Sequence, residues 1–301
     1  MKRMLLAACL TLAVTPALAQ TTTINLCGGG EGGVYDQVAN TIAAFAKGTS
    51  VQIRVIKDTG GTWGNIERTM KGNPTPADYE AGNACHAMIG QPDGASALNR
   101  ENSSLALKMK PILPLHREYL QVICSKKLDI SDLTEIEGKK DRSVAIGNPG
   151  SGSWLIWQNF IAEDEDYANN PTTTDEDSIA LSSVASGQSA CMIVPAALGH
   201  KTVREADEFF GDEVVLAGAD DKDFNDAKNP QGELLYEFKK IPSGTYKNKL
   251  QAGWFGGSSY DTVSWRAQLY ANSDRVDQKT LKALITAASR ARGTITSTFG
   301  E

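Results

Sequence analysis

One unit recurs along this chain and limits what it can become: a short β-rich run, a glycine turn, then an amphipathic helix. Ile24-Asn25-Leu26-Cys27 leads into GGGEGG at 28–33 and a helical pattern through Val38, Ile42, Ala43 and Phe45 that stops near Gly48. Val51 to Ile56 leads into TGG at 59–61 and a helix around Ile66 and Met70. Cys85 to Ile89 is followed by Gln91-Pro92-Asp93-Gly94, and Ser143 to Ile146 by GNPGSG at 147–152 and a helix from about Trp154 to Ala162. Strands alternating with helices imply parallel sheets and right-handed crossovers, so the predicted class is α/β.

The units form two series. Glu118 to Ser125 (EYLQVICS) reads as a strand, and the polar connection Lys126 to Arg142 after it is a candidate crossing point. Further on, a helix near Ile179 to Ala185, a strand at Cys191 to Val194, another at Asp261 to Ala271 and a helix over Thr280 to Ala291 are expected. The Asp-rich stretch 211–232 reads as loop or short helix. A chain of 301 residues exceeds the usual need of one core. The predicted division is 1–19 as a signal peptide, 20–122 plus 250–301 as one lobe, and 123–249 as the other. Mostly parallel sheets, a strand hinge and an interlobe cleft complete the expectation. Helix N-termini from both halves would bring unpaired N–H groups and partial positive charge to that cleft.

Lys2 and Arg3, an apolar run from Met4 to Leu18 and the close Ala17-Leu18-Ala19 have the pattern of a secretory signal, which places the mature chain in the periplasm. Leu6-Ala7-Ala8-Cys9 also fits a lipoprotein box, but cutting there would leave only Met4 to Ala8 as apolar core. No later run approaches the roughly 20 apolar residues a membrane span needs, so no stable insertion is expected. Losing Lys2 and Arg3 takes the formal charge from −6 to −8. With that sign and no clustered basic run, nucleic acid is not an expected partner. Cys27, Cys85, Cys124 and Cys191 remain, enough for two disulfides in any of three pairings or for free buried thiols. Their spacing, and that of His86, His116 and His200, suggests no metal site.

Gly28-x-Gly30-x-x-Gly33, with Asp58 ending the next strand, matches the dinucleotide fingerprint. A run of consecutive glycines meets that spacing easily, and nicotinamide cofactors are not freely supplied outside the cytoplasm. No cofactor is therefore expected, and an exported oxidoreductase stands as the rival reading. The turns GEGGVY, DTGGTWGN and GNPGSGSW can instead each cradle an oxyanion, with hydroxyls beside exposed amides. Gly150-Ser151-Gly152-Ser153 lacks nucleophile-elbow spacing, and the histidines read as structural or exposed, so no catalysis is expected.

In order, GGGEGGVYDQVANTIA, DTGGTWGNI, GQPDG, LHREYLQVI, DL…GKK…VAIGNPGSGS, SGQSACMIVPAALGH and IPSGTYKN resemble the TAXI family of TRAP transporter solute receptors. The resemblance covers most of the mature chain. It implies a type II periplasmic binding protein, monomeric, that hands solute to ion-gradient-driven membrane subunits without ATP. A receptor for an ATP-driven importer or a sensor is the alternative. The family's solutes are glutamate, glutamine and related dicarboxylates. Asp36 stands where a second aromatic is common, and Trp63-Gly64 replaces a Ser/Val/Glu-type stretch.

On this reading the amides of Gly33, Val34, Tyr35, Gly60, Gly61, Thr62, Gly150, Ser151, Gly152 and Ser153 hold oxyanions. Tyr35, Thr59, Asn65, Gln91, Asn148, Ser151 and Ser153 add side-chain contacts, and Asp93 would favour an ammonium group. Trp154 and Trp157 are expected to pack, and Arg117 and Glu118 to pair with each other or with the hinge.

Overall fold

The recurring units take their expected form in the computed structural model, which describes residues 21–251 and 257–301. The predicted signal segment, with Cys9, lies outside the described residues. β1 (Thr22–Cys27), α1 (Val34–Phe45), β2 (Val51–Ile56) and α2 (Gly61–Met70) come first. α3 (Pro76–Ala81) opens on a capping box made by Thr75 and Asp78. β3 (Ala87–Gly90), α4 (Asp93–Glu101) and the single turn α5 (Ser103–Ala106) lead to β4 (Met109–Ser125). The second series is β5 (Val144–Ala145), α6 (Gly152–Glu163), β6 (Thr172–Thr173), α7 (Asp177–Ser186), β7 (Cys191–Ala196) and α8 (Lys201–Phe209). β8 (Val214–Ala217), β9 (Glu237–Ile241), β10 (Tyr260–Asn272) and α9 (Gln278–Phe299) close the chain. No described helix is long and apolar enough to cross a membrane.

The strands form one sheet in the order β2-β1-β3-β10-β4-β7-β5-β6, with β8 beside β4 and β9 beside β10. The fold is mixed α/β, and its pairing is less parallel than expected. Parallel ladders join β1 to β2 and β3, and β5 to β6 and β7. The ladders of β4 and β10, with each other and with β3, β7, β8 and β9, are antiparallel. The cause is directional: a chain that leaves one half along β4 must return along a strand running the other way. β10 does so between β3 and β4.

β4 begins nine residues before the predicted Glu118, at Met109. Pro111 and Pro114 disguise its first part; they face Tyr270 and Gln268, next to shifts in the ladder's register, where a missing N–H is tolerated. In the stretch 211–232, expected to be loop or short helix, Val214–Ala217 instead forms β8 against β4. Four apolar residues among many aspartates are too short a run to betray a buried strand by periodicity. The polar connection 126–142 forms two short 3₁₀ turns, and its Leu133 and Ile136 are fully buried.

Buried apolar side chains fall into two territories. One runs from Ile24 to Leu115 and resumes from Ala267 to Ile295; the other runs from Leu120 to Trp265. The changeover lies at Arg117 and Glu118 in β4, paired with Arg266 and Trp265 in β10. Each territory has its own disulfide, Cys27–Cys85 in the first and Cys124–Cys191 in the second. The latter joins directly opposed residues of β4 and β7.

Candidate functional site

The parallel strands of the two halves run in opposite directions and both end near the changeover, β3 opposite Gln268 and β7 opposite Tyr119, so helices that follow strands of either set begin there with their free amides facing one gap. α1, α2 and α6 open in this way onto a cavity of about 210 Å³. The first territory lines it with Gly28–Gly30, Gly33, Val34, Tyr35, Gly61, Thr62 and Gln91. The second contributes Gly152, Pro195, Ala196, Ala197 and His200, and Glu118 enters from the changeover. Gly60 precedes α2 at φ +81°, a conformation that favours glycine, and offers no capping side chain. Among the described residues the amides of Val34, Tyr35, Gly61, Thr62, Gly152 and Ser153 have no hydrogen-bond acceptor. Three helix N-termini thus present N–H groups and partial positive charge to one space.

The first turn has spent several of its other donors on itself. The Gly29 amide donates to Thr59 Oγ1 at 2.8 Å, Glu31 to Asp58 Oδ1 at 3.0 Å and Gly32 to Asp36 Oδ2 at 3.0 Å. The Gly33 amide donates to the Gly30 carbonyl at 3.1 Å, so Gly33 is not the oxyanion donor expected of it. Asp58, the residue that would hold a ribose in a dinucleotide site, instead caps this turn. Asp36, 5% exposed, also takes the Asn40 amide group and lies outside the cavity wall.

Glu118 is the buried charge of the site. It is 4% exposed and lines the cavity. Its Oε2 accepts from the Tyr35 hydroxyl at 3.1 Å and from Trp265 Nε1 at 2.7 Å. Its Oε1 faces His116 Nε2 at 3.4 Å. Burial, and then the charge of Glu118, push the Tyr35 hydroxyl well above its ordinary pKa, so the phenol stays a neutral donor. Arg117 does not pair with Glu118; it reaches Ser264, Glu237 and the Glu301 carbonyl. His200, expected to be structural or exposed, lines the cavity from the second half. Its Nδ1 accepts the Thr202 amide, which leaves Nε2 as the protonated nitrogen of the neutral ring. Burial lowers its pKa.

The other predicted residues divide by place. Tyr35, Val34, Gly61, Thr62, Gln91 and Gly152 meet at the cavity with Gly33. Ser153 lines an adjoining cavity of about 190 Å³ and donates to the Ile193 carbonyl at 2.9 Å. Thr59 and Asn65 are buried away from it: Thr59 bonds the Asn65 side chain, and Asn65 Nδ2 donates to the Ile89 carbonyl at 2.7 Å. They tie the ends of β1 and β3 to the turn rather than meeting a ligand. Ser151 caps α6 through the Trp154 amide, and Asn148 is exposed, its amide bound to Glu176. Gly150 lies against Trp63 of α2, and neither lines the 210 Å³ cavity. Trp157 is fully buried in the core of the second half.

Asp93 faces no cleft. Fully buried, it accepts from Asn159 Nδ2 at 2.7 Å and from the Tyr236 hydroxyl, both in the second half. Burial raises its pKa, and the bonds from Tyr236 and Asn159 oppose that rise. Gln91 also crosses, donating to the Gly152 carbonyl at 3.0 Å. A Cβ at Gly152 would lie 2.8 Å from Gln91 Oε1, so a larger residue there would displace the end of that side chain. Glu118, His200, Asn159 and Tyr236 escape a sequence reading because only the strand register and the facing of the halves bring them to these places.

A sequence model described as the NMT1-like family matches residues 26–255. No curated protein sequence matches the chain. Among solved structures, the periplasmic binding protein BugD is similar over 93% of this chain and 87% of its own, with a TM-score of 0.52 and 13% identity. MatC from Rhodopseudomonas palustris, described with bound malate, gives 0.47 and 17% identity over 90% of this chain and 84% of its own. A structure concerned with glutathione import via GshT and the cystine importer TcyBC of Streptococcus mutans gives 0.49 and 12% over 93% and 95%. The likeness to BugD shows that the fold is that of a periplasmic binding protein.

Proposed function

This chain belongs to the NMT1-like family, and from that premise we propose that it is a periplasmic receptor for a small carboxylate-bearing solute. The observation that carries the reading is the convergence of three helix N-termini, two from one half and one from the other, on one cavity. Such amides bind a carboxylate with little reorganisation. The halves act as lobes that meet at Glu118 and Trp265, where the cores change over, rather than at residues 122 and 250. β4 and β10 serve as the hinge. Closure brings Gln91 to Gly152 and Asp93 to Asn159 and Tyr236, and a solute drives it by contacts made only in that state.

The seven motifs favour a TAXI-type receptor that delivers its solute to TRAP-type membrane subunits, with glutamate, glutamine and dicarboxylates as the class to screen first. Two disulfides suit an oxidising compartment and support export by the N-terminal signal. The role is binding and release, without cofactor or bond chemistry. A thermal-shift screen of amino acids, dicarboxylates, oxo acids and inorganic oxyanions tests the reading, because a ligand of the folded state raises the melting temperature with concentration. The account expects such a rise for at least one carboxylate solute; no rise across the screen contradicts it.

A further inference from the structure

On the receptor reading just given, we propose that the solute carries an ammonium group seated on Glu118 and no second carboxylate, which makes it an amino acid with a neutral or basic side chain. Three observations point the same way. Glu118 is 4% exposed and aimed at the cavity, and its two hydrogen bonds, from Tyr35 and Trp265, both fall on Oε2. Among the described residues Oε1 has no hydrogen-bond partner, His116 Nε2 standing 3.4 Å away without forming one. A buried carboxylate needs its remaining lone pairs met, and an ammonium group does that when closure removes water.

The second observation is the sign of the lining charge. The described wall of this cavity contains Glu118 and no lysine or arginine, so a carboxylate of the solute is held by helix N-termini alone. The third is where a side chain can go. The adjoining cavity shares Gly152, Pro195, Ala196 and His200 with the first and is lined by Asp175, Glu176 and Asp177, again without lysine or arginine. Glu176 and Asp177 are exposed and Asp175 is half-buried, so water screens this acidic rim, but with no lysine or arginine beside it a side-chain carboxylate finds no cationic partner there, whereas an amide or a cation needs none. The larger cavity that also includes His200 carries Glu31, Asp177, Lys201 and Arg204, exposed charges of both signs that water and salt screen.

Calorimetric titration of the purified protein with glutamine, lysine, glutamate and glutarate tests this. Glutamine or lysine is expected to bind at least tenfold more tightly than glutamate, and glutarate, which lacks the amine, more weakly still. Glu118→Gln keeps an oxygen for Tyr35 and Trp265 but loses the charge; it should weaken the amino acid at least tenfold without weakening glutarate. Glutamate or glutarate binding as tightly as glutamine overturns the inference, and so does an unchanged amino-acid affinity in a folded Glu118→Gln. If that variant does not fold, the comparison of the four solutes on the unmodified protein decides alone. A saturating solute without an amine refutes the ammonium site and leaves the receptor standing, whereas no saturating solute in the broad screen removes both.

Discussion

Tyr236→Phe removes one of the two donors that hold Asp93 across the halves. Asp93 is fully buried and its other oxygen has no partner, so the lost bond is not replaced by solvent while the halves are closed. Because burial raises the Asp93 pKa, the bond's contribution lies between that of a neutral hydrogen bond, about 0.5–1.5 kcal/mol, and that of one to a charged group, about 1.5–3 kcal/mol. Taking about 2 kcal/mol as the loss to the closed state alone, and about 1.4 kcal/mol per tenfold, the solute affinity should fall about 30-fold. Titration calorimetry reads the affinity, and small-angle scattering reads a larger radius of gyration for the liganded variant at subsaturating solute. Tyr167→Phe is the control. It removes a buried hydroxyl bonded to Asp221 at 2.9 Å within the second half, and should lower the melting temperature without changing affinity. Affinities within twofold for Tyr236→Phe and the unmodified protein, or an equal loss in both variants, would refute the idea that Asp93 latches the halves.

Thr59→Val should cost about 1–3 kcal/mol of apo stability, measured by urea unfolding, because it strands the Gly29 amide and the Asn65 side chain rather than a ligand. An unaltered midpoint would return Thr59 to the list of solute contacts. Burial, and then Arg275, lower the pKa of the His86 ring to about 4. The unfolded ring binds its proton near 6.5, so between there and about 4 the unfolded chain holds more protons, and stability falls as the pH drops through that window. After allowance for partial solvent screening the fall is about 2 kcal/mol; His86→Gln should flatten that part of the stability profile. Reducing either disulfide, which are 58 and 67 residues apart in sequence, should cost about 4 kcal/mol by the loop-entropy relation. A melting temperature unmoved by reductant would contradict that.

What the sequence reveals here is local. A glycine turn between a β run and an amphipathic helix is settled by a dozen neighbouring residues, and all three turns that open α1, α2 and α6 were legible for that reason. The hydroxyl and amide residues around them were also the right chemical types, yet Thr59, Asn65 and Ser151 turn out to fasten the turns. A side chain that can donate to a ligand can equally cap a helix, and spacing does not separate the two roles. Glu118 shows the opposite failure. Its neighbour Arg117 suggested a local pair, whereas the register of β4 against β10 sends Arg117 to Ser264 and Glu118 to Trp265. Asp93 misled similarly, since its strand-end position says nothing of the Asn159 and Tyr236 that come from the other half. Pairing among the four cysteines was open for the same reason.

The most direct test of the closed two-lobed receptor is a crystal structure of the protein with whichever amino acid most raises its melting temperature. The account expects the solute between the halves, its carboxylate within hydrogen-bond distance of amides opening α1, α2 or α6, and its ammonium group on Glu118 Oε1. Solute bound on the outer surface, or a cavity unchanged while the solute sits elsewhere, would contradict it.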